Sequence, residues 1–160
     1  MPLPSVSVIL PNYNHAPYLS QCLNAILDQS VKPKEVIVID DASTDNSVDV
    51  ISEFAQQNSS IKLILNKKNM GVLTSNLKGF EQATGDYILF AAADDYLLPG
   101  IFELSLGLLA KYPQAGLCSS KSRRINENGD CLDSVPEPPY ISKHPCYLPK
   151  EKMLNLIFYL

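Results

Sequence analysis

No apolar stretch in these 160 residues is long enough to cross a bilayer, which takes about 20 apolar residues in a row. The opening Met1-Pro2-Leu3-Pro4 has neither the basic flank nor the apolar core of a signal peptide. Basic residues are sparse: 13 Lys and Arg stand against 17 Asp and Glu, and apart from Lys121-Ser122-Arg123-Arg124 they are scattered. A net charge of −4 without a basic face argues against nucleic acid as a partner. Cys22, Cys118, Cys131 and Cys146 show no C-x-x-C spacing, which predicts reduced thiols and a cytoplasmic protein. Cys118, Cys131, His144 and Cys146 fit no common zinc template. Internal repeats and low-complexity tracts are missing as well. What remains is one domain, or most of one, with enough apolar residues to bury a core.

Short apolar runs alternate with helical periodicity along the first three quarters of the chain. Ser5 to Leu10 reads as strand one, and Pro11-Asn12-Tyr13-Asn14-His15 as the turn after it. From Pro17 onward Leu19, Cys22, Leu23, Ile26 and Leu27 recur at helical spacing, ending near Gln29-Ser30. Glu35 to Ile39 is strand two. A helix with Val48, Ile51, Phe54 and Ala55 inward follows, and Ile61 to Leu65 is strand three. Helix three carries Val72, Leu73, Leu77, Phe80 and Ala83, with Gly85 just past its end as a stop. Tyr87 to Ala91 is strand four, Gly100 to Lys111 helix four, and Ala115 to Ser119 a candidate fifth strand. The alternation predicts an α/β fold, a mostly parallel sheet with helices on both faces. From Ser120 the texture turns polar and proline-rich, which reads as a long loop region. The apolar stretch Glu151 to Leu160 has nothing after it to cover it, so the expectation is a fragment of a longer protein.

Polar clusters fall at the same place in each unit. Right-handed crossovers put the carboxyl ends of parallel strands on one edge, where open α/β sheets bind ligands. Pro11 to His15 lies at that end of strand one, Asp40-Asp41 of strand two, Asn66 to Asn69 of strand three and Asp94-Asp95 of strand four. Taken alone, Asp94 and Asp95 read as caps for the helix starting near Pro99, and Asp41, Ser43 and Asp45 as caps for the second helix. Four clusters on one edge are harder to reduce to caps. The first strand–helix turn has no glycine and there is no Gly-Lys-Ser/Thr, so backbone cradles for phosphate are absent. Carboxylates repel phosphate unless a divalent ion intervenes, and Mg2+ or Mn2+ held by one or two carboxylates meets that need. Asp41 could accept the N–H of a base or ribose hydroxyls, and Tyr13 could stack on the base. His15 reads as an exposed turn residue.

These residues resemble the nucleotide-sugar half of the family 2 inverting glycosyltransferases, which have the GT-A, Rossmann-like fold. Val6 to Asn14 looks like that family's first strand and base-binding turn, and Glu35 to Asp45 like its D-D-x-S-x-D signature. Asn69-Met70-Gly71 through Asn76 looks like the N-x-G helix start, and Gly85 to Pro99 like the segment carrying D-x-D. The resemblance implies that Pro11 and Tyr13 line the base pocket, that Asp41 contacts the base and that Asn12 and Asn76 belong to the nucleotide-sugar site. Asp94 would be the metal ligand, for Mn2+ or Mg2+, with Asp95 beside it shaping the ribose and phosphate site. Two positions depart from the pattern: the first acid of D-x-D falls on Ala92, and the arginine often seen before Asn76 is Ser75. The family's catalytic base would lie beyond Leu160, and Asp130, Asp133 and Glu137 read as solvated surface.

The expectation is a sugar transfer from a nucleoside-diphosphate sugar, UDP-type favoured, to a hydroxyl on a carbohydrate or lipid-linked acceptor. The anomeric carbon would be inverted. The resemblance places such enzymes in cell-surface polysaccharide or glycan synthesis, cytoplasmic or peripheral to the inner membrane face. Residues 1–119 would form the nucleotide-sugar domain and 120–160 the start of an acceptor side. Two other classes compete: a non-catalytic nucleotide-binding module, and a sugar-nucleotide pyrophosphorylase, whose Gly-rich phosphate loop is missing.

Overall fold

The computed structural model describes residues 2–120, 122–126 and 129–132. The chain divides after Ala110 into two compact units. The first contains β1 (Val6–Asn12), α1 (Ala16–Leu27), β2 (Glu35–Asp40), α2 (Ser47–Gln57), β3 (Ile61–Leu65), α3 (Val72–Phe80), β4 (Tyr87–Phe90) and α4 (Ile101–Lys111, which runs one residue past the division). The strands form one parallel sheet in the order β3-β2-β1-β4. The expected α/β architecture is therefore present.

Stepping from β1 to β2 to β3 moves one way across the sheet, so right-handed crossovers put α1 and α2 on one face. The return from β3 to β4 puts α3 on the other, over β1 and β2. Both faces of the inner strands are thus covered, which explains why β1 and β2 read as unbroken apolar runs. Val8, Ile9, Leu10, Val36, Ile37, Val38 and Ile39 are all fully buried. The order turns back at β1 and β4, and their carboxyl ends open the crevice where ligands bind in such sheets.

The amino-terminal edge is locked by a buried acid. Glu35 accepts from Ser7 Oγ at 2.8 Å, from Thr84 N and Oγ1 at 2.7 Å, and from Lys62 Nζ. Burial would raise the Glu35 carboxyl, but these donors, Lys62 first, overrule it and bring it down to about 2. Gly85 lies against this cluster, donating N–H to Ser7 Oγ at 2.8 Å. A Cβ on Gly85 would sit 2.7 Å from Ser7 N.

Three details differ from the sequence reading. β1 runs two residues further, pairing Pro11 with Ile39 and Asn12 with Asp40, although proline reads as a strand breaker. α3 turns its small residues inward: Ser75 and Gly79 are buried, while Val72, Leu73, Leu77 and Phe80 are more than half exposed. Close approach is the reason, since a Cβ on Gly79 would lie 2.5 Å from Ile9 Cγ2 and 2.9 Å from Ile39 Cδ1. Ala115 to Ser119 is not a strand; these residues take no regular secondary structure, and Leu117 is 65% exposed.

In the second unit Ile125 and Cys131 pair in an isolated antiparallel bridge, Leu132 N donates to Arg124 O, and Gly129 takes a left-handed φ of +83°. Asp130 is exposed and accepts from Asn126 Nδ2 at 3.0 Å, in keeping with a surface residue. Asp133, Glu137, His144, Cys146 and Glu151 to Leu160 lie outside the described residues.

Candidate functional site

The carboxyl ends of β1 and β2 are tied together by side chains. Asn12 Nδ2 donates to Asp40 Oδ2 at 2.8 Å and to Ser43 Oγ at 3.1 Å, and Ser43 Oγ donates to Asp40 Oδ2 at 2.6 Å. Asn14 sits at φ +57°, a region asparagine tolerates, and its Oδ1 accepts from Thr44 N at 2.7 Å. Asp45 bridges two helix starts, accepting Ala16 N of α1 at 3.0 Å and Ser47 N of α2 at 3.0 Å. Its carboxyl, which burial would raise, is held below the usual range by these donors. Of the three residues expected to cap α2, Asp45 alone bonds an amide of the helix; Ser43 joins Asp40, and Asp41 does something else.

Asp41 is 3% exposed and faces the turn after β3. Oδ1 accepts Asn66 Nδ2 at 2.7 Å and Met70 N at 2.8 Å, and Oδ2 accepts Gly71 N at 2.7 Å. Against the upward push of burial, these bonds and the Ser75 hydroxyl hold the carboxyl low. A carboxylate offers about four lone-pair sites, so in this arrangement Asp41 is filled by the Asn66–Gly71 turn. Lys78 Nζ reaches Asn66 Oδ1 at 2.8 Å, which fixes the amide with its NH2 toward Asp41. A cation thus stands in this corner one turn beyond Ser75. Two carboxamide oxygens, Asn12 Oδ1 and Asn76 Oδ1, are buried with no partner among the described residues.

β4 delivers the acidic pair. Ala91 N still bonds Ile9 O of β1 at 2.9 Å, and a turn closed by Asp95 N to Ala92 O at 3.2 Å follows. Asp94 and Asp95 are exposed on this turn over a buried Ala93. Neither accepts a hydrogen bond or ion pair among the described residues, and α4 starts only at Ile101, so they do not cap it. Cys22 of α1 packs beneath, its thiol pushed up to about 12 by burial and then by the Asp95 and Asp94 charges.

The sheet therefore brings Pro11, Asn12 and Tyr13 to the end of its central strand, with Asp41 on one flank and Asp94-Asp95 on the other. At about 4.8 Å per strand the two flanks are roughly 10 Å apart. Tyr13 is 43% exposed and able to receive a flat ligand. Among the described residues no three His, Cys, Asp or Glu side chains converge on a metal position. Two unpaired, exposed carboxylates nevertheless suit Mg2+ or Mn2+, which keep several waters and take the rest of their shell from phosphates. Asn14 and Asn66 fall in the polar clusters that the sequence sets on this edge and Asp45 in the acidic signature, whereas Lys78 carries no such signal and Cys22 reads only as part of an apolar stripe.

Comparison with known proteins agrees with the fold. The chain is 32% identical over 130 residues to the chondroitin synthase of Pasteurella multocida, covering 81% of this chain and 13% of the synthase. Among solved structures it is similar to S. aureus TarS 1–349 in complex with UDP-GlcNAc, with a TM-score of 0.64 and 27% identity, over 68% of this chain and 32% of that one. It is also similar to the mannosyltransferase PcManGT of Pyrobaculum calidifontis in complex with GDP-Man and Mn2+, with a TM-score of 0.54 and 29% identity, over 59% of this chain and 28% of that one. The chain thus spans a third or less of each of these proteins. The family model for glycosyl transferase family 2 matches residues 7–151, and the chain belongs to that family.

Proposed function

We propose that the intact protein transfers a sugar from a nucleoside-diphosphate sugar, UDP-type favoured, to a hydroxyl of a carbohydrate or lipid-linked acceptor with inversion, in surface polysaccharide or glycan synthesis. The observation that carries this reading is the pair of exposed carboxylates, Asp94 and Asp95, without partners among the described residues, beside the central strand end in a member of this family. The solved relatives that hold UDP-GlcNAc, or GDP-Man with Mn2+, support it. Pro11 and Tyr13 border the base. Asp41 acts on the base side by holding the Asn66–Gly71 turn, and Asn12 and Asn76 belong to the nucleotide-sugar site. Asp94 binds Mn2+ or Mg2+, with Asp95 beside it. The metal, when bound, neutralises the departing diphosphate. Residues from 120 onward begin the acceptor side.

Calorimetry of this chain against UDP, GDP and dTDP, with Mn2+ and with chelator, tests base, pocket and metal together. The expected result is UDP binding that Mn2+ strengthens and that Asp94→Ala returns to the chelator level. Binding indifferent to chelator would remove the metal role, and no binding of any nucleotide would remove the reading.

A further inference from the structure

The turn that carries Asp94 and Asp95 is gripped at both ends from α1 and the residues just after it. At the near end, Ala92 O accepts the Cys22 thiol, S to O 3.5 Å, besides Asp95 N. At the far end, Leu98 O accepts Gln29 Nε2 at 3.1 Å. The second hydrogen of that amide goes to Ala25 O at 2.9 Å, one of the carbonyls a helix end leaves open. Cys22 and Gln29 are each 2% exposed.

The Gln29 amide keeps both donors at a disadvantage: its Oε1 is buried with no partner among the described residues. An apolar side chain would avoid that orphan, so what the glutamine supplies is the pair of donated bonds. The Cys22 thiol is likewise a buried donor with Ala92 O as its acceptor. Between the two anchors, the six residues Ala93 to Leu98 carry the two adjacent carboxylates.

We infer that Cys22 and Gln29 are positioning residues for the acidic pair, holding the Ala92–Leu98 turn so that the Asp94 and Asp95 carboxylates stay together without a cation. The inference rests on the metal reading given above. Substituting groups that orient a metal-binding carboxylate typically lowers metal affinity 10- to 100-fold.

The test uses the full chain with Cys22→Val, Cys22→Ser and Gln29→Met. Amide hydrogen exchange of Ala93 to Leu98 is measured without ligand, and UDP affinity with Mn2+ and with EDTA. Cys22→Val and Gln29→Met are expected to speed exchange in this turn but not in β2, and to cut the Mn2+-induced gain in UDP affinity about tenfold or more. UDP affinity in EDTA should hold, and Cys22→Ser, whose hydroxyl can still donate to Ala92 O, should restore both readouts. Unchanged turn exchange in both donor-less variants, or a loss spread evenly over the domain, overturns the inference. If the wild-type chain shows no Mn2+ gain while turn exchange still responds, the metal reading fails and the anchoring stands.

Discussion

Asn12 and Asp40 stand opposite each other in the last pair of the β1–β2 ladder, and the carboxamide of the first donates to the carboxylate of the second at 2.8 Å. Both are buried, so the bond closes the sheet at the edge where the ligand is proposed to enter. Asn12→Ala removes one of the Asp40 donors and leaves a buried charge under-satisfied. The expected loss is about 1–3 kcal/mol in urea unfolding, and Asn12→Asp, which sets like charges side by side, should lose more.

Acid should unfold this domain partly through Glu35. Its folded-state pKa, about 2, lies below the ordinary 4.5, so the unfolded chain binds a proton first as pH falls. The stabilisation is fully present above pH 4.5 and drains away as pH drops toward 2. Urea midpoints measured across that window should fall for the wild type, with a shallower slope for Glu35→Gln. Equal slopes would show that Glu35 is not the titrating group.

Ala42 adopts φ +63°, a left-handed conformation that costs an L-residue roughly 1–2 kcal/mol. Ala42→Gly relieves it and should raise stability by up to about 1 kcal/mol, the gain being reduced by glycine's freedom in the unfolded chain. Ala42→Val should lower it. A thermal melt of the three proteins decides the order.

Gly79 and Gly85 both reject a Cβ, but against different neighbours. At Gly79 the obstacles are side-chain carbons, the two γ-carbons of Ile9 and the Cδ1 end of Ile39, which yield by a shift of the Ile9 side chain; at Gly85 they include the backbone of Val6 and Ser7, which cannot shift without bending β1. Overpacking of the first kind costs about 1–3 kcal/mol, so Gly79→Ala should fold with a lowered midpoint. Gly85→Ala should be the more damaging of the two, and the reverse order in a denaturant titration would contradict the packing described.

Much of this was legible because the burial is two-sided. Glu35 to Ile39 could be read as an inner strand from its apolar run alone, and the polar residues after each strand marked the edge proposed to bind. α3 resisted the same logic. Its apolar residues suggested an inward face, yet the sheet lies close enough to admit only Ser75 and Gly79, a constraint set by Ile9 and Ile39 far away in the chain. Asp41 was legible as a polar strand end but not as the anchor of a turn thirty residues on, because nothing local announces which amides will reach a carboxylate. Pro11 misled for the opposite reason, a local rule overridden by register with Ile39.

The saturated cluster around Glu35 and the acids at the other rim are separated by the whole run of β2. From Glu35 to Asp41 that is six residues at 3.3 Å, about 20 Å. Both acids are buried, so distance rather than salt separates them, and two unit charges that far apart interact by about 0.8 kcal/mol at an effective dielectric of about 20. Acid resistance engineered at the bottom of the sheet would therefore reach the proposed ligand edge only as a small electrostatic shift.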